Sequence, residues 1–230
     1  MTITTCVFDA YGTLFDVAAA ARRAASEPGR EAFARVWVKV ATDWRLKQLQ
    51  YTWLRAIMDA HTGFWEVTQN GLDYALEASD LSDDADLRER LLALYWELEA
   101  YEEVPQMLRD LKAAGLQTAI LSNGSPDMLS GAVKSAGLKA HFDAVLSVED
   151  VGIFKPAPSV YQMVCDRFSC QPSEVLFVSS NGWDVSGATK FGFQTVWVNR
   201  AKDPVDRLPW VPKSIMNTLH NIPNIAKAKS

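Results

Sequence analysis

Ile3-Thr4-Thr5-Cys6-Val7-Phe8-Asp9-Ala10-Tyr11-Gly12-Thr13 decides how the rest of the chain is read. Its first six residues are apolar or β-favouring without interruption, as a strand buried in a parallel sheet must be. Asp9 then falls at the carboxyl end of that strand, where open α/β sheets place their ligand crevice. Gly12 permits the turn that carries the chain off the sheet. Thr13 brings a hydroxyl and a backbone N–H toward the same crevice. By itself, Asp9 reads equally as a turn or cap residue and as a functional carboxylate.

Working outward, the strand–helix alternation breaks off directly after this stretch. Residues 31 to about 61 predict a helix, with Phe33, Val36, Trp37, Val40 and Trp44 at 3–4 spacing and Leu49, Trp53 and Ile57 continuing the face. Residues 66–77 predict a second, with Leu72, Ala75 and Leu76 inward. Ser82 is placed to cap a third, with Asp83 and Asp84 in its first turn and Leu87, Leu91, Leu94 and Leu98 as its apolar face. An all-helical insertion after the first strand accounts for this run. The alternation then resumes. Pro105 suits a helix start and Gly115 its end. Thr118-Ala119-Ile120-Leu121, Ala144–Ser147, Val175-Leu176-Phe177-Val178 and Thr195-Val196-Trp197-Val198 read as strands. Helices fall between them, one carrying Val160, Tyr161, Val164 and Phe168. Five parallel strands with helical crossovers predict an α/β fold with a doubly wound parallel sheet. The expected division is residues 1–16 and 99–230 for the α/β core and 17–98 for a helical cap. The last thirty residues, with Pro209, Pro212 and Pro223, predict a weak helix at most, and Lys227 and Lys229 a frayed tail.

Composition narrows the partners. The 230 residues suffice for a full core, and 48% are hydrophobic, which excludes wholesale disorder. A net charge of −5 argues against nucleic acid, whose binders usually carry a basic face. No apolar run reaches the roughly 20 residues of a membrane helix, and no secretory leader is read at the N-terminus. Cys6, Cys165 and Cys170 form neither a paired nor a zinc-binding pattern and read as reduced thiols, so a cytoplasmic location is expected.

Each well-formed strand ends in polar residues: Asp9, then Ser122-Asn123, then Ser179 to Asp184, with Lys155 at loop distance after the third. One parallel sheet delivers these ends to one edge. His61, His141 and His220 lie elsewhere by this reading, which disfavours a Ser-His-Asp or Cys-His site. What remains as nucleophile is a carboxylate, already ionised at pH 7.

Asp9-x-Tyr11-Gly12-Thr13, Ser122-Asn123-Gly124, Lys155-Pro156 and Ser179-Ser180-Asn181-x-x-Asp184 resemble, in order and spacing, the four motifs of the haloacid dehalogenase superfamily. Two departures separate the chain from the magnesium-dependent phosphatases of that superfamily. Tyr11 stands where they carry a second Asp, and Asp184 is the single acid of the last motif. Mg²⁺ prefers hard anionic oxygens, so the pattern resembles the metal-independent L-2-haloacid dehalogenases instead. Trp44-Arg45-x-Lys47-Gln48-Leu49-x-Tyr51-Thr52-Trp53-Leu54-Arg55 is similar to their first cap helix.

The resemblance implies an (S)-2-haloacid dehalogenase with no cofactor and no metal. Its substrate would be a small 2-haloalkanoate, with halide as a product, and a homodimer is expected. Asp9 would be the nucleophile, Lys155 the charge between Asp9 and Asp184, and Asp184 with Asn181 the handler of the hydrolytic water. Thr13 and Ser179 would position carboxylate oxygens. Ser122 would meet the substrate carboxylate, and Asn123 and Arg45 the halide. Tyr161 is read either as a brace for Asp184 or Lys155 or as core. Tyr11, Leu46, Phe64 and Trp183 would bind the short alkyl chain, though Phe64 and Trp183 also read as packing. Arg55, Lys47 and Gln48 are expected on the helix surface. A phosphatase with an unusual metal set, a fluoroacetate-cleaving variant and a non-catalytic scaffold are the competing readings.

Overall fold

The computed structural model describes residues 2–228. In chain order the elements are β1 (Thr5–Phe8), α1 (Ala19–Ala25), α2 (Glu31–Ala34), α3 (Trp37–Ile57), α4 (Phe64–Glu77), α5 (Ala85–Tyr95), α6 (Val104–Ala113) and β2 (Gln117–Ser122). They continue with α7 (Pro126–Ser135), β3 (Ala144–Ser147), α8 (Pro158–Phe168), β4 (Val175–Ser179), α9 (Gly182–Phe191), β5 (Gln194–Val198), β6 (Ser214–Met216) and α10 (Ile222–Lys227).

The strands form one parallel sheet in the order β3-β2-β1-β4-β5-β6. Chain order therefore runs outward in both directions from β1, which is the doubly wound α/β arrangement. All four residues of β1 and all five of β4 are buried, as strands covered on both faces require. Phe8 pairs with Ile120 of β2 and with Val178 of β4. Asp9, Ser122 and Ser179 consequently leave the sheet at neighbouring positions on one edge, beside the point where the strand order reverses.

Between β1 and β2 the regular elements are all helical, as expected, but the details differ. The helix read over residues 31–61 is two, α2 and α3, broken where Val36 takes φ −126° and ψ 1°. The sequence hides this break because apolar residues on both sides keep the 3–4 spacing. The buried seam of α3 is Val40, Trp44, Gln48 and Thr52, four residues per step. Leu49 and Trp53 are only half-buried and Ile57 is 81% exposed. Gln48 was expected on the surface and is instead buried. The cap of α5 is Asp84, whose carboxylate accepts from Leu87 N at 2.8 Å, in place of Ser82; such a cap is worth about 1 kcal/mol.

The helix α1 and the edge strand β6 were not read from the sequence. β1 to β5 lie where they were expected, while β6 is a three-residue edge strand in a segment of mixed composition. Lys227 closes α10 rather than fraying, and Lys229 lies outside the described residues.

Candidate active site

Local backbone geometry delivers Asp9 to the crevice. Asp9 N donates to Val178 O at 2.9 Å, extending the β1–β4 ladder by one bond. Gly12 then takes φ +86°, and a Cβ there would stand 3.0 Å from Ser180 Oγ. The turn needs glycine for both conformation and space. The Thr13 N–H, expected in the crevice, donates to Ala10 O within this turn.

Lys155 joins the two acids. Its Nζ is buried and donates to Asp9 Oδ1 at 3.1 Å and to Asp184 Oδ2 at 2.8 Å, above the Phe177 ring. Its backbone N–H donates to Asn123 Oδ1 at 3.0 Å, tying the loop after β3 to the loop after β2. Asp184 sits in the first turn of α9, fully buried. Tyr161 on α8 donates to Asp184 Oδ1 at 2.9 Å and is within 3.1 Å of Asp184 O. Aromatic neighbours Phe177, Phe191 and Phe193 hold the Tyr161 ring in place.

Burial pushes Lys155 toward its neutral form, but Asp184 and Asp9 outweigh it and leave the ammonium more basic than usual. Asp184 goes the other way for a carboxylate: burial lifts it above the ordinary range, against the pull of Lys155. Burial and the adjacent Asp184 push the Tyr161 phenol well above its usual value, so it stays a donor.

The second oxygen of Asp9 accepts from two neutral groups. Thr13 Oγ1 lies at 3.1 Å and Asn181 Nδ2 at 3.0 Å from Oδ2. Thr13 Oγ1 in turn accepts Ser180 N–H at 2.8 Å. Arg45 reaches from α3 across to this loop. Its guanidinium donates to Gln48 Oε1 at 2.9 Å, Tyr11 O at 3.2 Å and Asn181 Oδ1 at 3.3 Å. The structure thus brings Asp9, Thr13, Arg45, Asn123, Lys155, Tyr161, Asn181 and Asp184 into one bonded set.

Ser179 has a different partner from the one expected of it, and Ser122 binds the loop that follows its own strand. Ser179 Oγ accepts from Asn181 N at 3.1 Å, and Ser122 Oγ accepts from Gly124 N at 3.1 Å. Each caps the turn leaving its strand; among the described residues Ser179 makes no hydrogen bond to the Asp9 carboxylate. Tyr11 is buried and its ring stacks with those of Phe64 and Tyr95, at 5.9 and 5.6 Å between ring centres. Its hydroxyl is buried without a hydrogen-bond partner among the described residues. The same holds for Trp183 Nε1, whose ring meets Trp53 edge-on in a cleft of about 730 Å³ that reaches Lys155. Leu46 is not part of an enclosed wall: it is 55% exposed. Two residues past Trp44 is about 200° around the helix, opposite the buried seam. His61, expected away from the site, packs its exposed ring 4.6 Å from Phe154.

A divalent cation, found with many phosphatases of this fold, does not fit this donor set. Lys155 takes one oxygen of each carboxylate, Tyr161 takes the other oxygen of Asp184, and Thr13 with Asn181 takes the other oxygen of Asp9. Tyr11 adds no carboxylate to the set, and its backbone O, at 3.2 Å, already accepts from the Arg45 guanidinium, a cation.

Several contributors escaped the sequence reading. Gln48 donates to Thr68 Oγ1 at 2.7 Å and to Tyr95 Oη at 3.1 Å while accepting from Arg45. Its place one helical turn from Trp44 was the available signal. Arg200, after β5, donates to Thr13 O at 3.0 Å and to Glu103 Oε1 at 2.8 Å. Nothing in its local sequence marks it.

The family model for haloacid dehalogenase-like hydrolases matches residues 3–192. The chain is 44% identical to (S)-2-haloacid dehalogenase 1 of Pseudomonas sp. (strain CBS-3), over 97% of this chain and 96% of that protein. It is 46% identical to (S)-2-haloacid dehalogenase 4A of Burkholderia cepacia, over 86% and 84% respectively. Among solved structures, the L-2-haloacid dehalogenase of Xanthobacter autotrophicus with chloropropionic acid covalently bound superposes with a TM-score of 0.87. The two are 36% identical, and all of each chain is covered.

Proposed function

The chain belongs to the haloacid dehalogenase-like hydrolases, and from that premise we propose how its residues convert a short (S)-2-haloalkanoate into an (R)-2-hydroxy acid and halide. It is a hydrolase of carbon–halide bonds. The observation that carries the mechanism is the Asp9 carboxylate, fixed by one cationic and two neutral donors with a second carboxylate behind the same lysine.

In the first step an Asp9 oxygen forms a bond to C2 in line with the carbon–halogen bond, and halide leaves with the electron pair. Three donors stop the carboxylate from rotating, so the attack starts from a set geometry. Arg45 and the Nδ2 of Asn123, whose Oδ1 is committed to Lys155, meet the departing anion. In the second step water attacks Cγ of the ester and its proton passes to Asp184, which burial makes a stronger base than an ordinary carboxylate. The bond between Cγ and the substrate-bearing oxygen breaks, so the product keeps an Asp9 oxygen and Asp9 keeps one from water. Thr13, Asn181 and Lys155 stabilise the charge on the tetrahedral intermediate. Ser122 and the N–H groups opening α7 receive the substrate carboxylate. Ser179 acts through the turn it caps. Tyr11, Phe64 and Trp183 close over the alkyl chain.

The division into a core of 1–16 and 99–230 and a cap of 17–98 is part of this reading, supported by the helical run between β1 and β2. So are a homodimer, supported by the exposed apolar Ile57, Met58, Trp210 and Val211, and a cytoplasmic location, supported by the unpaired cysteines. No helix among the described residues is long and apolar enough to cross a membrane.

A single turnover in ¹⁸O-water with (S)-2-chloropropionate, with and without saturating EDTA, tests the scheme. Label is expected in Asp9 and not in the first-turnover lactate, with halide release indifferent to chelator. Label entering the lactate directly, or activity lost on chelation, would overturn it.

A further inference from the structure

The N-cap of α4 is Gly63, which offers no side chain to cap the helix. Its first N–H, that of Phe64, is instead bound from another part of the chain: Phe64 N donates to Glu149 Oε1 at 3.0 Å. A Cβ on Gly63 would stand 3.4 Å from that same oxygen, so the carboxylate lies directly against the helix start. Glu149 belongs to the 3₁₀ turn Val148–Asp150 that follows β3. It is held there by its own N–H, which donates to Ser147 Oγ at 3.2 Å. Ser147 Oγ donates onward to Gly124 O at 2.7 Å, and Gly124 N donates to Ser122 Oγ. A continuous chain of hydrogen bonds thus joins the loop after β2 to the N-terminus of α4.

Both ends of this chain touch Tyr11. Phe64 stacks on the Tyr11 ring at 5.9 Å, and Gly124 lies so close beneath it that a Cβ would be 2.7 Å from Tyr11 Cε2. Phe64 also meets Phe154, the residue before Lys155, at 6.3 Å. A negative carboxylate at a helix N-terminus favours the helical first turn both as an acceptor and through the helix dipole. We propose that Glu149 is a positioning residue for substrate selection: it pins the first turn of α4 so that Phe64 and Tyr11 form a wall of fixed depth over the alkyl chain. This rests on the dehalogenase reading above. The wall's position is set by the same network that shapes the Ser122–Gly124 loop, so binding of the substrate carboxylate and closure on its alkyl chain are linked through Ser147 and Glu149.

The test compares wild type, Glu149→Ala and Glu149→Gln. kcat and KM are measured for monochloroacetate, (S)-2-chloropropionate and (S)-2-chlorobutyrate, and amide hydrogen exchange is followed at residues 63–68. Glu149→Ala is expected to raise KM for chloropropionate about tenfold, the effect of losing one such bond, with a smaller change in kcat. It should flatten the preference among chain lengths and speed exchange at Phe64. Glu149→Gln keeps an acceptor oxygen and should recover most of each effect. Unchanged KM values and chain-length ratios in Glu149→Ala would overturn the proposal. So would a Glu149→Gln protein as impaired as Glu149→Ala, with both losses matched by a fall in melting temperature. If the wild-type protein releases no halide from any of these acids, the dehalogenase reading fails; unchanged exchange at Phe64 in Glu149→Ala would separately overturn the pinning of α4 by Glu149.

Discussion

Tyr161→Phe isolates the step that consumes water. The Tyr161 ring is fully buried and packed by Phe177, Phe191 and Phe193. Phenylalanine fills the same space, and the substitution deletes one hydroxyl. That hydroxyl donates to Asp184 Oδ1 at 2.9 Å in a site with no exposure at Asp184. A hydrogen bond to a charged group contributes about 1.5–3 kcal/mol net, which corresponds to roughly 10- to 150-fold in a rate that depends on Asp184. Attack of Asp9 on the substrate does not use Asp184 as a base, whereas ester hydrolysis does. Rapid-quench assays should therefore show a burst of about one equivalent of halide per site, followed by slow turnover, with the ester on Asp9 visible by intact mass. The pH profile moves as well. Burial already holds Asp184 above the ordinary carboxylate range, and Tyr161 supports its ionised form; without that donor the acid limb of kcat shifts to higher pH. Turnover within twofold of wild type with an unmoved acid limb would refute this role. So would a burst slowed as much as the steady state, because Tyr161 would then serve the displacement at carbon.

Asp9→Asn removes the nucleophile while keeping its shape, so halide release should fall on the order of 10⁴-fold or more with the circular dichroism spectrum intact; native-like turnover without deamidation would contradict the assignment. Arg45→Lys keeps a charge but loses the planar fork that meets Gln48, Tyr11 and Asn181. Turnover should drop on the order of 10²-fold with little change in melting temperature, and unchanged kinetics would return Arg45 to a structural role. Glu103→Gln probes stability. Burial raises the Glu103 carboxyl, but backbone donors and Arg200 outweigh it and leave it below its ordinary value. Its contribution is therefore present above the unfolded carboxylate range and lost as pH falls. The variant should unfold about 1–3 kcal/mol more easily at pH 7, with the difference narrowing in acid; a constant difference in urea titrations across pH would count against it.

Sequence alone determined the succession of β1 to β5 along the chain, the shared sheet edge on which Asp9, Ser122, Asn123, Lys155 and Asp184 meet, and the helical run between β1 and β2; the order of the strands across the sheet came from the structure. These were legible because a parallel sheet requires unbroken apolar runs, and because each run stops where a polar residue must leave the sheet. What lay beyond local pattern needed the tertiary structure. Gln48 carries a surface-like side chain, and only Thr68, Tyr95 and Arg45, distant or on another turn, make its burial tolerable. Ser179 and Ser180 are adjacent and chemically identical in sequence. The strand's alternation and the Gly12 turn place Ser180 N against Thr13 while Ser179 caps its own loop. Arg200 and Glu149 reach the site from 187 and 85 residues away, respectively. A one-dimensional pattern records which residues face a core, but a hydrogen bond between remote segments exists only once packing has fixed both ends.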